Sequence, residues 1–421
     1  MSDIKLTTLK NGLRVITDHV PSVHSVALGI WSGVGTRDED LSHNGAAHMV
    51  EHMLFKGTPN RSAEQIVADL ETVGANMNAY TSREVTSYHV HLLKEHAPLA
   101  MDVLADMYQH STMPEEEIER ERHVILQEIG MCHDTPDDLI FDNYYETAYP
   151  NQSVGAPILG SHEKIATMQR DTLMNYVERF YSASRTVISA AGNIDHDEFV
   201  AQAASAFGDL PPDQKHKAAS AQYHGGEHRL SRTLEQSHVV LGFQAPGRMD
   251  SDYYAVQALS NILGGGMASR LFQEVREKRG LVYSIFSFYS GFSDEGQFGI
   301  YAGTGPDDLT ELVPVVCEEV LKVTENLLDE EVSRARAQLK SGLLMARESM
   351  MTRADQQAKN LLYRGEVIDI ESRIAQIESV SKAQIEAAAR RIFVGAKPTL
   401  ASLGPLEKLE SYNRITERLA A

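Results

Sequence analysis

The sequence predicts an α+β protein made of two similar halves, each a mostly antiparallel sheet with helices packed on one face. Three observations carry this. The stretch LPPDQKHKAASAQYHGGEH, residues 210–228, is polar, holds a Pro pair and a Gly pair, and lacks apolar periodicity, so it reads as a linker. Each half runs through the same order of patterns, as a loose internal repeat does. Within each half the strand-like runs are bunched and the longer helical tracts follow them. The 421 residues are also too many for one ordinary core. The expected domains are 1–209 and 229–421, joined by 210–228.

The first half opens with strand-like GLRVITDHV and SVALGIWSGVG, rich in β-branched residues and bounded by turn residues. GAAHMVEHMLFKG follows with helical apolar spacing, and SAEQIVADLETVG is an amphipathic helix. NMNAYTSREVTSYHVHLL alternates as strands do, and EEEIERERHVILQEIGMCH returns to the helical period. The second half repeats this order. HRLSRTLEQ and SHVVLGFQAPG are strand-like, YYAVQALSNILGGG and SRLFQEVREKRG helical, LVYSIFSFYSGFSDEGQFGIYAGT alternating, and DEEVSRARAQLKSGLLMARES helical.

Hydrophobic residues make up 42% and charged residues 23%, which describes a folded chain and not a disordered one. The net charge of −20 repels nucleic acid and anionic lipid and attracts cationic partners such as basic peptides; a role in solubility alone explains it equally. Cys132 and Cys317 are too few and too distant for a disulfide framework or a thiolate zinc site. A reducing compartment, the cytoplasm, is therefore expected. MSDIKLTTLKNGLRVITDHV lacks the apolar segment of a secretory signal, and Met1 argues against a lost leader. No run approaches the roughly 18 apolar residues of a membrane span, so no membrane partner is expected.

The chemistry concentrates in AAHMVEHMLFKGT, residues 46–58. On a helix His48 and His52 are four apart and Glu51 is three from His48, so all three project from one side. Two histidines so spaced can supply two zinc ligands, and a nearby carboxylate that does not bind the metal can accept a proton from water. H-x-x-E-H is the reverse of the commoner H-E-x-x-H order. The corresponding second-half segment, ALSNILGGG, has no such triplet, so the shared framework does not itself demand these residues. A third ligand is needed. ERERHVILQEIGMCHDTPDD offers Glu121 and Glu128, two turns apart on one helix face flanked by Val124 and Ile125. Burying a carboxylate there is costly unless a metal or a metal-bound histidine compensates; a solvated acidic stripe is the alternative.

At this point the chain resembles the pitrilysin-type inverted-zinc peptidases, in particular bacterial relatives of the β-subunit of mitochondrial processing peptidase. HMVEHMLFKGT, NAYTSRE and ERERHVILQEI match in order and spacing, and the similarity runs from LKNGLRVI past RARAQLKSGLLM. The family usually has Phe-Leu where this chain has Met49-Val50, positions that face the core. The resemblance implies the processing-peptidase-like metallohydrolase fold, Zn2+ held by His48, His52 and Glu128, Glu51 as general base, and Glu121 as a carboxylate orienting a ligand histidine. It also implies that Asn78, Ala79 and Tyr80 lie on an edge strand to which an extended peptide adds by main-chain hydrogen bonds. An ordinary strand reads the same in sequence.

In REKRGLVYSI, Arg276 and Tyr283 resemble the Arg/Tyr pair that the family brings to the scissile carbonyl, where either could donate to an oxyanion. Without the resemblance they read as a surface cation and a strand residue. Long single-chain relatives enclose a chamber with four such domains. This chain has two, so a homodimer is expected, with Arg276 and Tyr283 of one subunit facing the other's zinc. LGGGMASRLF matches no nucleotide loop and resembles the family's glycine-rich loop. Asp138 and Asp142, four apart, match acidic positions that receive an arginine near the cleavage point; an acidic first helical turn explains them equally. His89 and His91 share a strand face, read as solvated, and Cys132 and His133 receive no role. The expected activity is a zinc endopeptidase acting on unfolded peptides or presequence-like segments, with some preference for basic residues. A non-catalytic partner subunit of the same fold is the alternative, against which the complete motif weighs.

Overall fold

The computed structural model describes residues 3–212 and 218–420; residues 213–217 of the expected linker lie outside the described residues. The chain forms two compact units. One comprises Met1–Gly130, Ala156–Ala219 and Met345–Ile368, the other Met131–Gly155, Ser220–Leu344 and Asp369–Ala421. Each unit is thus mostly one half of the sequence plus a short segment from the other half. The end of the expected linker is structured, because Gly226–Ser231 is already a strand.

The first unit holds β1 (Asp3–Thr8), β2 (Arg14–His19), β3 (Ser25–Ser32), β4 (Asn76–Thr81), β5 (Thr86–Leu93) and β6 (Thr186–Gly192). They form one sheet in the order β1-β2-β6-β3-β5-β4. The pairing of β2 with β6 is parallel and the others are antiparallel. The main helical layer lies on one face, where Val15, Leu28 and Val90 meet Met49, Val50 and Met53 of the helix Ala46–Met53 and Val103 of the helix Ala97–His110.

The opposite face of this sheet is covered as well. Ile16, Ala27, Trp31 and Val187 pack against Ala354, Ala358 and Leu361 of the helix Met350–Arg364, which the second half contributes. Ser189 Oγ donates to the Ala354 carbonyl at 2.9 Å, and Asp18, fully buried, receives Arg347 at 3.0 Å and Arg353 at 3.1 Å. A sheet buried on both faces needs strands that are apolar or small along their whole length. SVALGIWS of β3 and TVISAAG of β6 are of that kind, and nearly every residue in them is buried.

The second unit repeats the plan with β7 (Gly226–Ser231), β8 (Ser237–Pro246), β9 (Val282–Gly291), β10 (Glu295–Thr304) and β11 (Thr399–Gly404), in the order β7-β11-β8-β10-β9. It too receives a helix from the other half. Leu139, Ile140 and Tyr144 of Pro136–Ala148 pack against Val240, Tyr301, Ala401 and Leu403. Gly242 permits this, since a Cβ there would fall 2.2 Å from the Tyr144 hydroxyl.

Three local expectations are corrected. SRLFQEVREKRG is not a regular amphipathic α-helix: Phe272–Glu277 is a π-helical turn, with Lys278 N donating to the Gln273 carbonyl at 3.0 Å. His89 is not on a solvated face; it is half-buried, stacks on Trp31 at 6.3 Å between centroids, and meets Ser87 Oγ at 3.1 Å. Val124 is 39% exposed, because the buried side of its helix runs through Ile118, Ile125 and Ile129.

Candidate metal centre

The motif helix Ala46–Met53 starts at Gly45, whose φ of 97° is a left-handed conformation that favours glycine. The helix entry is capped from a distance. Glu39 accepts from Gly45 N at 3.0 Å, Ala47 N at 2.6 Å and Asn44 Nδ2 at 3.1 Å. A carboxylate at a helix N-terminus satisfies orphan N–H groups and complements the helix dipole. Ala46, Ala47, Met49, Val50 and Met53 are buried, which aims His48, Glu51 and His52 off the other side as half-buried groups. Burying each of Met49, Val50 and Met53 stabilises this orientation by about 1.5–3 kcal/mol.

The carboxylate helix Glu115–Asp134 brings Glu121 and Glu128 to that side. Glu128 Oε2 lies 3.8 Å from His48 Nε2 and 3.9 Å from His52 Nε2. One ligand atom each from His48, His52 and Glu128 lie within 4.8 Å of one another. Glu128 Oε2 is buried and has no hydrogen-bond partner, as is true of His48 Nδ1. A buried carboxylate oxygen without a donor is costly, and a divalent cation between it and two imidazole nitrogens removes that cost. The nitrogen and oxygen donor set therefore fits zinc.

Glu121 has a different task from Glu128. Its Oε2 is 2.8 Å from His52 Nδ1, and its Oε1 is 2.5 Å from Lys56 Nζ. The first contact holds His52 with Nδ1 protonated and leaves the Nε2 lone pair for a metal. Burial alone would lower the His52 pKa; the hydrogen bond to Glu121 and the charges of Glu128, Glu121 and Glu51 outweigh it, and the pKa is raised. His48 is pushed down to about 4, by burial first and by His52 second, so it is neutral and able to ligate above that pH. The Glu121 carboxyl resists burial and is held below its ordinary value by its bonds to His52 and Lys56.

Glu51 stands beside these groups and accepts from Thr81 Oγ1 at 2.5 Å. Burial raises its pKa, and Glu128 adds to the rise; Thr81 and His52 oppose it. A carboxylate brought closer to neutrality is a better proton acceptor. Thr81 and Lys56 were not singled out in the sequence. The signal for Thr81 was present, since Ala79 and Thr81 share a face of β4.

β4 is an edge strand, paired only with β5 among the described residues. Its open side can take an added strand. Asn78 is exposed, and its Oδ1 accepts from Ala79 N at 2.8 Å. Tyr80 is committed elsewhere, for its hydroxyl donates to Asp355 at 2.6 Å. The remaining expected residues lie in the second unit. Arg276 sits over the Phe272 ring at 4.7 Å and the Tyr283 ring at 5.8 Å, and Tyr283 is 76% exposed. Asp138 is exposed, and Asp142 lies 3.6 Å from Cys132 Sγ. Burial and then the Asp142 charge push the Cys132 thiol up to about 12, which keeps it an unreactive thiol at neutral pH. No helix among the described residues is long and apolar enough to cross a membrane.

The family signature described as Insulinase (peptidase family M16) matches residues 14–162, and that of the peptidase M16 inactive domain matches 167–339. An uncharacterized zinc protease of Rickettsia felis is 39% identical over 96% of this chain and 98% of its own. Another from Bacillus subtilis, YmxG, is 37% identical over 93% and 96%. The crystal structure of a protease from Helicobacter pylori shares the fold, with a TM-score of 0.89 at 20% identity, covering 96% of this chain and 100% of that one. The ligand cluster falls in the first matched region, and the region matching the inactive domain contributes none of its three residues. This chain belongs to peptidase family M16, a family of zinc proteases.

Proposed function

We propose that the protein is a zinc-dependent endopeptidase acting on unfolded or short peptides and presequence-like segments, with a preference for sites near basic residues. The observation that carries this is the convergence of His48, His52 and Glu128 around a buried, unpartnered carboxylate oxygen, with Glu51 alongside. Bound there, zinc would supply Lewis acidity to water and to a peptide carbonyl. Glu51 accepts the proton of the attacking water and passes it to the leaving amine. Glu121 keeps His52 in the ligating tautomer. An extended peptide pairs with the open side of β4 along Asn78, Ala79 and Tyr80, so recognition reads mainly backbone.

Arg276 and Tyr283 donate to the developing oxyanion. Their proposed setting is a homodimer, in which they face the zinc site of the other subunit. Asp138 and Asp142 receive an arginine of the substrate, and the net charge of −20 favours such cationic peptides. The proposed compartment is the cytoplasm.

The test is cleavage-site mapping on a peptide library with the purified protein before and after chelation. Cleavage that stops on chelation, returns with zinc and clusters near Arg or Lys is expected. Glu51→Gln should retain zinc and lose turnover; undiminished turnover rejects the assigned base. A catalytically competent monomer rejects the dimeric arrangement.

A further inference from the structure

Glu51 sits on a helix, and a glutamate there has three side-chain torsions to settle before its carboxylate faces one direction. Among the described residues its hydrogen-bond donor is Thr81, which binds Oε2 and leaves Oε1 to take a proton. Threonine suits this role because its β-branch restricts χ1 and so aims the hydroxyl. The hydroxyl is only as well placed as its strand. Thr81 ends β4, which has a neighbour on one side only.

The adjacent residue supplies what the missing neighbour does not. Tyr80 points to the opposite face of the sheet, where its hydroxyl donates to Asp355 Oδ1 at 2.6 Å. The same oxygen accepts from Trp31 Nε1 at 3.0 Å, tying β4 to the interior strand β3. Lys359 pairs with Asp355 Oδ2 at 3.0 Å and lies over the Tyr80 ring at 4.8 Å. Asp355 and Lys359 belong to the helix Met350–Arg364, the segment that the second half of the sequence contributes to this unit. The edge strand is therefore held on one face by that helix, while on the other face it holds the base.

We propose that Thr81 is a positioning residue for Glu51, and that Asp355 sets the place of Thr81 through Tyr80. The inference rests on the reading of Glu51 as general base. It assigns the exchanged helix a part in the reaction beyond covering the sheet.

Thr81→Val keeps the shape and removes the donor. It should lower kcat about 10- to 100-fold with KM within about twofold, since a peptide pairs with β4 by backbone in either case. Thr81→Ser restores the hydroxyl and should recover kcat to within about threefold. Tyr80→Phe should lower kcat about three- to tenfold in the otherwise native protein and add almost nothing on the T81V background. Zinc content per chain should stay at the wild-type level in all three. A T81V kcat within about twofold of wild type overturns the proposal, as does a T81S variant no better than T81V. A Tyr80→Phe effect undiminished on the T81V background overturns the part assigned to Asp355. A crystal structure of zinc-loaded T81V tests positioning without catalysis. A Glu51 carboxylate displaced by about 1 Å or split between rotamers supports the proposal, and an unmoved one overturns it. Should the wild-type protein cleave no peptide, the proposed function fails, and this structure still decides the positioning.

Discussion

His52 Nδ1 and Glu121 Oε2 lie 2.8 Å apart, so the imidazole that faces Glu128 with one nitrogen is locked by the other. Removing the charge from that contact should loosen the ligand without deleting it. Glu121→Gln is expected to weaken zinc binding about 10- to 100-fold, the range usual for partners that orient a ligand histidine. Competition against a chelator of known affinity measures it. An unchanged affinity would mean that Glu121 serves only Lys56.

Metal removal should also register in stability. A ligand that binds only the folded state stabilises it by about 4 kcal/mol at a thousand times its Kd. Zinc added to the stripped protein should raise Tm, and the rise should vanish in His48→Ala and Glu128→Ala. Calorimetry with and without zinc checks this. A rise that persists in both variants would place the metal elsewhere.

Glu39 gives stability a pH dependence. Burial outweighs its hydrogen bonds from Ala47, Asn44 and Gly45, and its carboxyl is raised from 4.5 to about 7. Because the folded value exceeds the unfolded one, its contribution is fully present below about pH 4.5 and is lost as pH rises through about 7. Relative to Glu39→Gln, the native protein should lose on the order of 3 kcal/mol between those limits. Urea unfolding of both proteins at pH 4.5, 6 and 8 measures the difference. A difference that does not change with pH would show that the carboxyl titrates normally.

Asp18 is fully buried between Arg347 at 3.0 Å and Arg353 at 3.1 Å. Deleting one partner of a buried ion cluster leaves uncompensated charge, at a cost of about 3–5 kcal/mol. Asp18→Leu should lower Tm by several degrees, and limited proteolysis should then cut first within 345–368. Cleavage elsewhere first would show that Asp18 does not hold that segment.

Much of the centre was legible in the sequence because it depends on local period. Spacing of three and four puts His48, Glu51 and His52 on one side of a helix, and alternation puts Asn78, Ala79 and Tyr80 on a strand. A spacing of seven positions gives Glu121 and Glu128 a common helical face. Their separate tasks were not legible from spacing. Only the resemblance distinguished them, because which carboxylate meets which nitrogen depends on how two helices distant in the chain are set against each other.

By itself, then, the sequence determined most of the elements, the α+β repeat and the residues offered to a metal, because the side a residue takes follows from the winding of its own segment. Tertiary structure alone decided what each side meets. It brought Met350–Arg364 onto the first sheet, aimed Asp355 at Tyr80, set Thr81 against Glu51 and split Glu121 from Glu128. These pairings join residues tens to hundreds of positions apart. Their geometry is fixed by the packing of whole helices and sheets, which no local period encodes.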